Sequence, residues 1–73
     1  MDTAVTIRKG GFKPERLYQL RVERGYSLEK TGSLCKLSTS EMGQLENGKR
    51  NPGVKTIAKM AKGFKVEKGY FFA

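Results

Sequence analysis

Apolar residues in this 73-residue chain recur at helical spacing in short bursts, each fenced by residues that start or stop helices. Pro14 suits a first helical position because its ring already fixes φ. Leu17 and Leu20, with Arg21 beside them, then form an inner side, and Gly25 closes a helix predicted over 14–24. Ser27 can cap a second helix, with Glu29 near its positive end, reaching residue 34. Leu37 bridges into the best-marked stretch, 38–52. There Ser38 and Glu41 have the spacing of a capping box, in which a hydroxyl takes an orphan N–H and the carboxylate reaches back to the cap. Asn47-Gly48 is a stop, and Pro52 bars the helix from resuming at once. Met42 and Leu45 fall on one side of this third helix. Thr39, Ser40, Gly43, Gln44 and Asn47 make a second, uncharged face of small polar groups. A fourth helix over 54–62 has Val54, Ile57, Ala58 and Ala61 on its core side, followed by Phe64 and Val66. A weak helical turn is expected over 68–72. No segment shows strong strand alternation, so the chain reads as all-α, with four to five short helices.

Composition narrows what such a domain does. Fifteen Lys and Arg stand against 7 acids, for a formal charge of +8 and a pI near 9.9. A small basic domain attracts nucleic acid or an anionic membrane surface. No apolar run approaches the ~20 residues of a membrane span, and the start 1–7 lacks a signal peptide's charged and apolar regions, so export is not expected. One Cys and no His leave no internal disulfide, zinc site or His-based catalytic dyad, so neither a cofactor nor a metal is expected. No catalytic constellation can be assembled, and the protein is not expected to be an enzyme.

The motifs then converge. Leu20-Arg21, Arg24-Gly25-Tyr26-Ser27, Leu37-Ser38 and the run Leu45-Glu46-Asn47-Gly48-Lys49-Arg50-Asn51-Pro52 together resemble the Cro/phage-repressor helix-turn-helix family, also known as the xenobiotic response element (XRE) family. Val54, Ile57, Met60, Ala61, Phe64 and Val66 match that family's apolar positions, so the resemblance covers roughly 13–72, most of the chain. It implies a lambda-repressor-like domain with a central helix-turn-helix, whose recognition helix, about 38–47, enters the major groove of double-stranded DNA. It also implies a transcription regulator, a cytoplasmic, nucleoid-associated protein of bacterial or phage origin, and a homodimer on two half-sites.

Position by position, the resemblance assigns Thr39, Ser40 and Gln44 to base readout and Ser38, Asn47, Lys49 and Arg50 to the DNA backbone. Gln44 is the strongest reader, because its amide can pair bidentately with adenine N6 and N7. Arg21 and Glu46 match an internal salt bridge between the first and third helices. Four residues depart from the pattern. Leu28 stands where a phosphate-holding polar side chain is usual, and Thr31 replaces a core leucine. Lys36 replaces the turn glycine, and Gly43 sits inside the recognition helix. Together they imply modest stability. They also keep a second function open: a protein–protein interaction module, antitoxin-like or an accessory factor of a mobile element, that keeps the scaffold with weak or no DNA binding.

The remaining features carry simpler expectations. Lys55, Lys59 and Lys62 form a solvated stripe opposite the core face of the fourth helix. Residues 1–12 read as a flexible tail ahead of the domain at 13–73, with Arg8, Lys9 and Lys13 able to serve as a minor-groove arm. Cys35 is expected as a small buried hydrophobe. One or two of Tyr70, Phe71 and Phe72 should complete the core, and any left exposed would suit self-association.

Overall fold

The computed structural model describes residues 11–72, which form four α-helices and a terminal 3-10 turn, with no strand among them. The helices are α1 (Pro14–Glu23), α2 (Leu28–Cys35), α3 (Thr39–Glu46) and α4 (Val54–Phe64), and the turn spans Lys68–Phe72. The tail expected over 1–12 lies outside the described residues except for its end. There Phe12 packs, partly buried, against the core. Among the described residues no helix is long and apolar enough to cross a membrane.

Three of the four helices start where their local chemistry directs. Pro14 opens α1, the Ser27 hydroxyl accepts the Lys30 N–H at the start of α2, and Ser38 with Glu41 completes a capping box on α3. All four helices end alike. A left-handed residue follows each, at Gly25, Lys36, Gly48 and Lys65, with φ between 58° and 73°. The next N–H then reaches back over the last turn: Tyr26 to Arg21 O, Leu37 to Gly32 O, Lys49 to Gln44 O and Val66 to Ala61 O. These bonds satisfy carbonyls that the helix itself leaves unpaired. Glycine enters the left-handed region freely, but each of the two lysines there costs about 1–2 kcal/mol.

The core joins Leu17 and Leu20 of α1, Cys35 of α2, Met42 and Leu45 of α3, Ile57, Met60, Ala61 and Phe64 of α4, and Phe71 of the terminal turn. α2 packs on both α3 and α4, while the terminal turn closes over α1 and α4. Lys13 N donates to Phe71 O, and Arg16 Nε donates to Tyr70 O, both at 2.9 Å. The Arg16 guanidinium also lies 4.0 Å above the Tyr70 ring, a cation–π contact. Arg24 Nη1 donates to Phe64 O at the end of α4.

Several expectations change. α4 continues to Phe64, two residues past the expected end, because Phe64 is a core residue and Lys65 supplies the stop. Val54 is 82% exposed and not on the core face. As the first residue of α4 it lies ahead of the turns that carry Ile57, Met60 and Ala61 into the core, at the rim of a surface groove shared with Pro52, Lys68 and Phe72. Ala58 is only half-buried. The C-terminal aromatics turn inward: Phe71 is buried, while Tyr70 and Phe72 pack partly buried against the core. Thr31 is fully buried, yet its hydroxyl donates to Ser27 O at 2.8 Å, so its polar atom is satisfied within the helix. Leu28 packs against the core, which gives that departure a structural use.

Candidate nucleic-acid interface

The surface that could meet DNA is built by α2, the short turn after it, α3 and the loop that follows. Its angle depends on one close crossing. A Cβ at Gly32 would stand 2.7 Å from Leu37 O, closer than real Cβ contacts occur, so only glycine lets α2 approach the turn into α3 this tightly. The left-handed Lys36 (φ 58°, ψ 43°) then redirects the chain. Met42 and Leu45 anchor the inner side of α3 in the core, which turns Thr39, Ser40 and Gln44 outward, all exposed.

A single ion pair fixes the far end of α3. Arg21 Nε donates to Glu46 Oε2 at 2.5 Å, and Nη2 donates to Glu46 Oε1 at 3.2 Å. This is the bidentate geometry that matches a guanidinium to a carboxylate. Arg21 Nη1 also donates to Tyr26 O at 2.7 Å, so one side chain ties α1, the loop before α2 and the end of α3. The side chains are only 15% and 6% exposed.

At the near end, Ser38 Oγ accepts the Glu41 N–H at 3.0 Å, and Ser38 N donates to Glu41 Oε1 at 3.2 Å. The Ser38 hydroxyl is therefore committed to the cap, although it stays exposed. The Ser38 backbone N–H is the main influence holding the Glu41 carboxyl below its usual range. Desolvation opposes it, and Arg50, the Ser38 hydroxyl and Lys59 add to the lowering.

Asn47, Lys49 and Arg50 are exposed just beyond α3, at the edge of the same polar face. Lys49 is held by its backbone bond to Gln44 O, which leaves its ammonium free to follow a phosphate. Arg50 does more than the sequence suggested. It folds back over α3, with Nη1 donating to Gln44 Oε1 at 3.4 Å and Nη2 lying 3.8 Å from Glu41 Oε2. The separation of Glu41 and Gln44, three residues on one helix, was the available signal that a single cation could touch both. Gly43 sits between them, and a Cβ there would meet nothing within 4 Å.

Other residues named from sequence lie away from this face. Cys35 is buried, and that burial pushes its thiol up from 9.0 to about 11, which makes it an unreactive core group. Among the described residues no cluster of His, Cys, Asp and Glu could hold a metal. Arg16 was not singled out from sequence, and Arg24 entered only as part of the family motif, with no role given to it. Both are now tied to backbone carbonyls of the C-terminal third, contacts that helical periodicity does not encode.

Comparisons with known proteins agree with this architecture. The family model described as helix-turn-helix matches residues 17–71. A solved restriction-modification controller protein, C.AhdI from Aeromonas hydrophila, is similar at 34% identity, with a TM-score of 0.78 over 81% of this chain and 89% of that one. An HTH_3 family transcriptional regulator from Vibrio cholerae is 36% identical, with a TM-score of 0.77, and the match covers 81% of this chain but 33% of that longer one. A mutant of the restriction-modification controller protein C.Esp1396I, at 24% identity and a TM-score of 0.73, shares the fold over 81% of this chain and 77% of its own. No curated protein matches. With the family model spanning most of the chain, and the capped α2–turn–α3 unit in the geometry described, the chain belongs to the helix-turn-helix family of Cro/phage-repressor type, a family of DNA-binding transcription regulators.

Proposed function

We propose that this protein is a sequence-specific double-stranded DNA-binding regulator that sets α3 in the major groove. One observation carries the reading. The face of α3 turned from the core presents Thr39, Ser40 and Gln44, all exposed, and runs without a break into Lys49 and Arg50. Uncharged donors and acceptors suit base edges, and flanking cations suit phosphates. Affinity then comes mainly from phosphate neutralisation, and preference among sites comes from Gln44 and its neighbours. A single domain of this size covers little DNA, so useful affinity calls for a homodimer on two half-sites. The likeness to a restriction-modification controller over most of both chains favours a regulator of that kind as the finer reading.

Binding to random duplex, measured across a range of salt, tests the reading. A phosphate-driven binder loses affinity linearly in log salt, with a slope that counts its contacts. Footprinting on the DNA that flanks its own gene then tests specificity. A flat salt response and an unprotected flank would overturn the reading and bring forward the protein–protein module.

A further inference from the structure

The structure assigns Arg50 as a positioning residue that holds the Gln44 amide with its NH2 turned outward, so that this head favours guanine over adenine. The inference deepens the DNA-reading function above and rests on it.

Arg50 Nη1 donates to Gln44 Oε1 at 3.4 Å, while Nη2 lies 3.8 Å from Glu41 Oε2. One arm of the guanidinium hydrogen-bonds the Gln44 oxygen, while the other pairs by charge with the Glu41 carboxylate on the same helix face. A guanidinium has no acceptor. The amide atom that faces Arg50 is therefore the oxygen. Gln44 Nε2, with its two hydrogens, is left to face outward. The Glu41 carboxylate accepts from both the Ser38 N–H and the Ser38 hydroxyl, so Arg50 pairs with a carboxylate held in place. Pro52, two residues on, biases the intervening backbone to an extended form and limits how far the Arg50 loop can swing.

This arrangement changes what Gln44 can read. Bidentate pairing with adenine needs the amide oxygen free to accept from N6 and the NH2 to donate to N7. With that oxygen turned toward Arg50, the NH2 is the edge that the amide presents to a base. Guanine offers two adjacent major-groove acceptors, O6 and N7, whereas adenine sets a donor beside its single acceptor. The Arg50-held amide therefore suits guanine, and releasing it restores the adenine pairing.

The test is selection from a pool of randomised duplex DNA with the full chain and four variants: Gln44→Ala, Arg50→Ala, Arg50→Lys, and the double variant Gln44→Ala/Arg50→Ala. The base read by residue 44 is the one at which Gln44→Ala relaxes preference. The parent should prefer guanine there, and Arg50→Ala should move the preference toward adenine by about tenfold. Arg50→Lys keeps the charge but not the planar fork. It should shift the base preference as Arg50→Ala does while keeping the parent's salt slope. In the Gln44→Ala background, Arg50→Ala should change no base preference. If both Arg50 variants keep the parent's base preference, and Arg50→Ala only lowers affinity for all sequences with a smaller salt slope, Arg50 is a phosphate contact and the inference is overturned alone. A parent with no base preference at all overturns the inference together with the DNA-reading function. All five proteins should melt alike, since both side chains are exposed.

Discussion

Gly63 lies so close to Cys35 that a Cβ on it would stand 2.7 Å from the Cys35 Sγ and 2.9 Å from Leu34 O. The last turn of α4 therefore rests directly on the end of α2, backbone against backbone. Gly63→Ala should destabilise the domain by about 1–3 kcal/mol, the usual cost of overpacking, although alanine is the better helix former. Gly43→Ala is the control. It lies in open space on α3 and should stabilise by about 1 kcal/mol, or some 4–8 °C in Tm. Thermal melts that move the same way for both variants would contradict the packing described here.

Lys36 makes the turn of the helix-turn-helix in the left-handed conformation, with its side chain exposed. Lys36→Gly removes the steric strain but enlarges the freedom of the unfolded chain. The strain of about 1–2 kcal/mol is the larger quantity, so the variant should be more stable by a few tenths to about 1 kcal/mol in chemical denaturation. A less stable variant would mean that the residue is not strained.

Arg21 and Glu46 form a nearly buried pair with three hydrogen bonds around one guanidinium. Glu46→Ala leaves that cation partly desolvated and unpaired, and should cost about 3 kcal/mol. For a domain whose whole stability is on the order of 5–15 kcal/mol, this is a large share. Replacing both partners, as Arg21→Met/Glu46→Leu, should cost less than Glu46→Ala, because no charge is stranded. Denaturant titration of the three proteins decides it. A double variant weaker than the single one would mean that the pair contributes net stability and is not simply a mutual neutralisation.

Gln44→Ala and Lys49→Ala separate readout from attraction. The first should lose about 1–3 kcal/mol at one base position and relax preference there. The second should weaken binding to all sequences about equally and shrink the salt slope by roughly one unit. If both bind specific and random duplex as the parent does, this face of α3 does not read DNA.

Acid should weaken the start of α3. Folding lowers the Glu41 carboxyl below its ordinary 4.5, chiefly through the Ser38 N–H, so the ionised form is the one the fold favours. Its contribution is complete above about 4.5 and fades as pH falls through the lower folded value. Glu41→Gln should therefore melt below the parent at pH near neutral and converge with it in strong acid. An unchanged gap between the two proteins at both pH values would show that the charge is irrelevant to the cap.

Much of the fold is legible from sequence because its signals are local. Pro14, Ser27 and the Ser38–Glu41 pair mark helix starts within a few residues, and Gly25 and Gly48 mark stops that only a left-handed backbone can make. The spacing of Met42 and Leu45 is enough to turn Thr39, Ser40 and Gln44 outward. The Arg21–Glu46 pair was legible only through family resemblance, since nothing local links residues 25 positions apart.

The tertiary structure decided the rest. Val54 has the periodicity of a core residue but stays exposed at the start of α4, beside a surface groove shared with Lys68 and Phe72. Phe71 became the buried member of an aromatic trio because Lys13 and Arg16 clamp the terminal turn onto α1. Gly32 and Gly63 look alike in sequence to Gly43, yet two sit at backbone crossings and one in open space. Arg50, which sequence made a phosphate contact, reaches back to Gln44 and Glu41. Caps, stops and periodicity, which act over a few bonds, set where the helices begin, roughly where α1, α2 and α3 end, and most of the face each hides. Which faces meet, how closely, and which long side chain folds onto which partner depend on how the helices cross in space, and that only the assembled bundle sets.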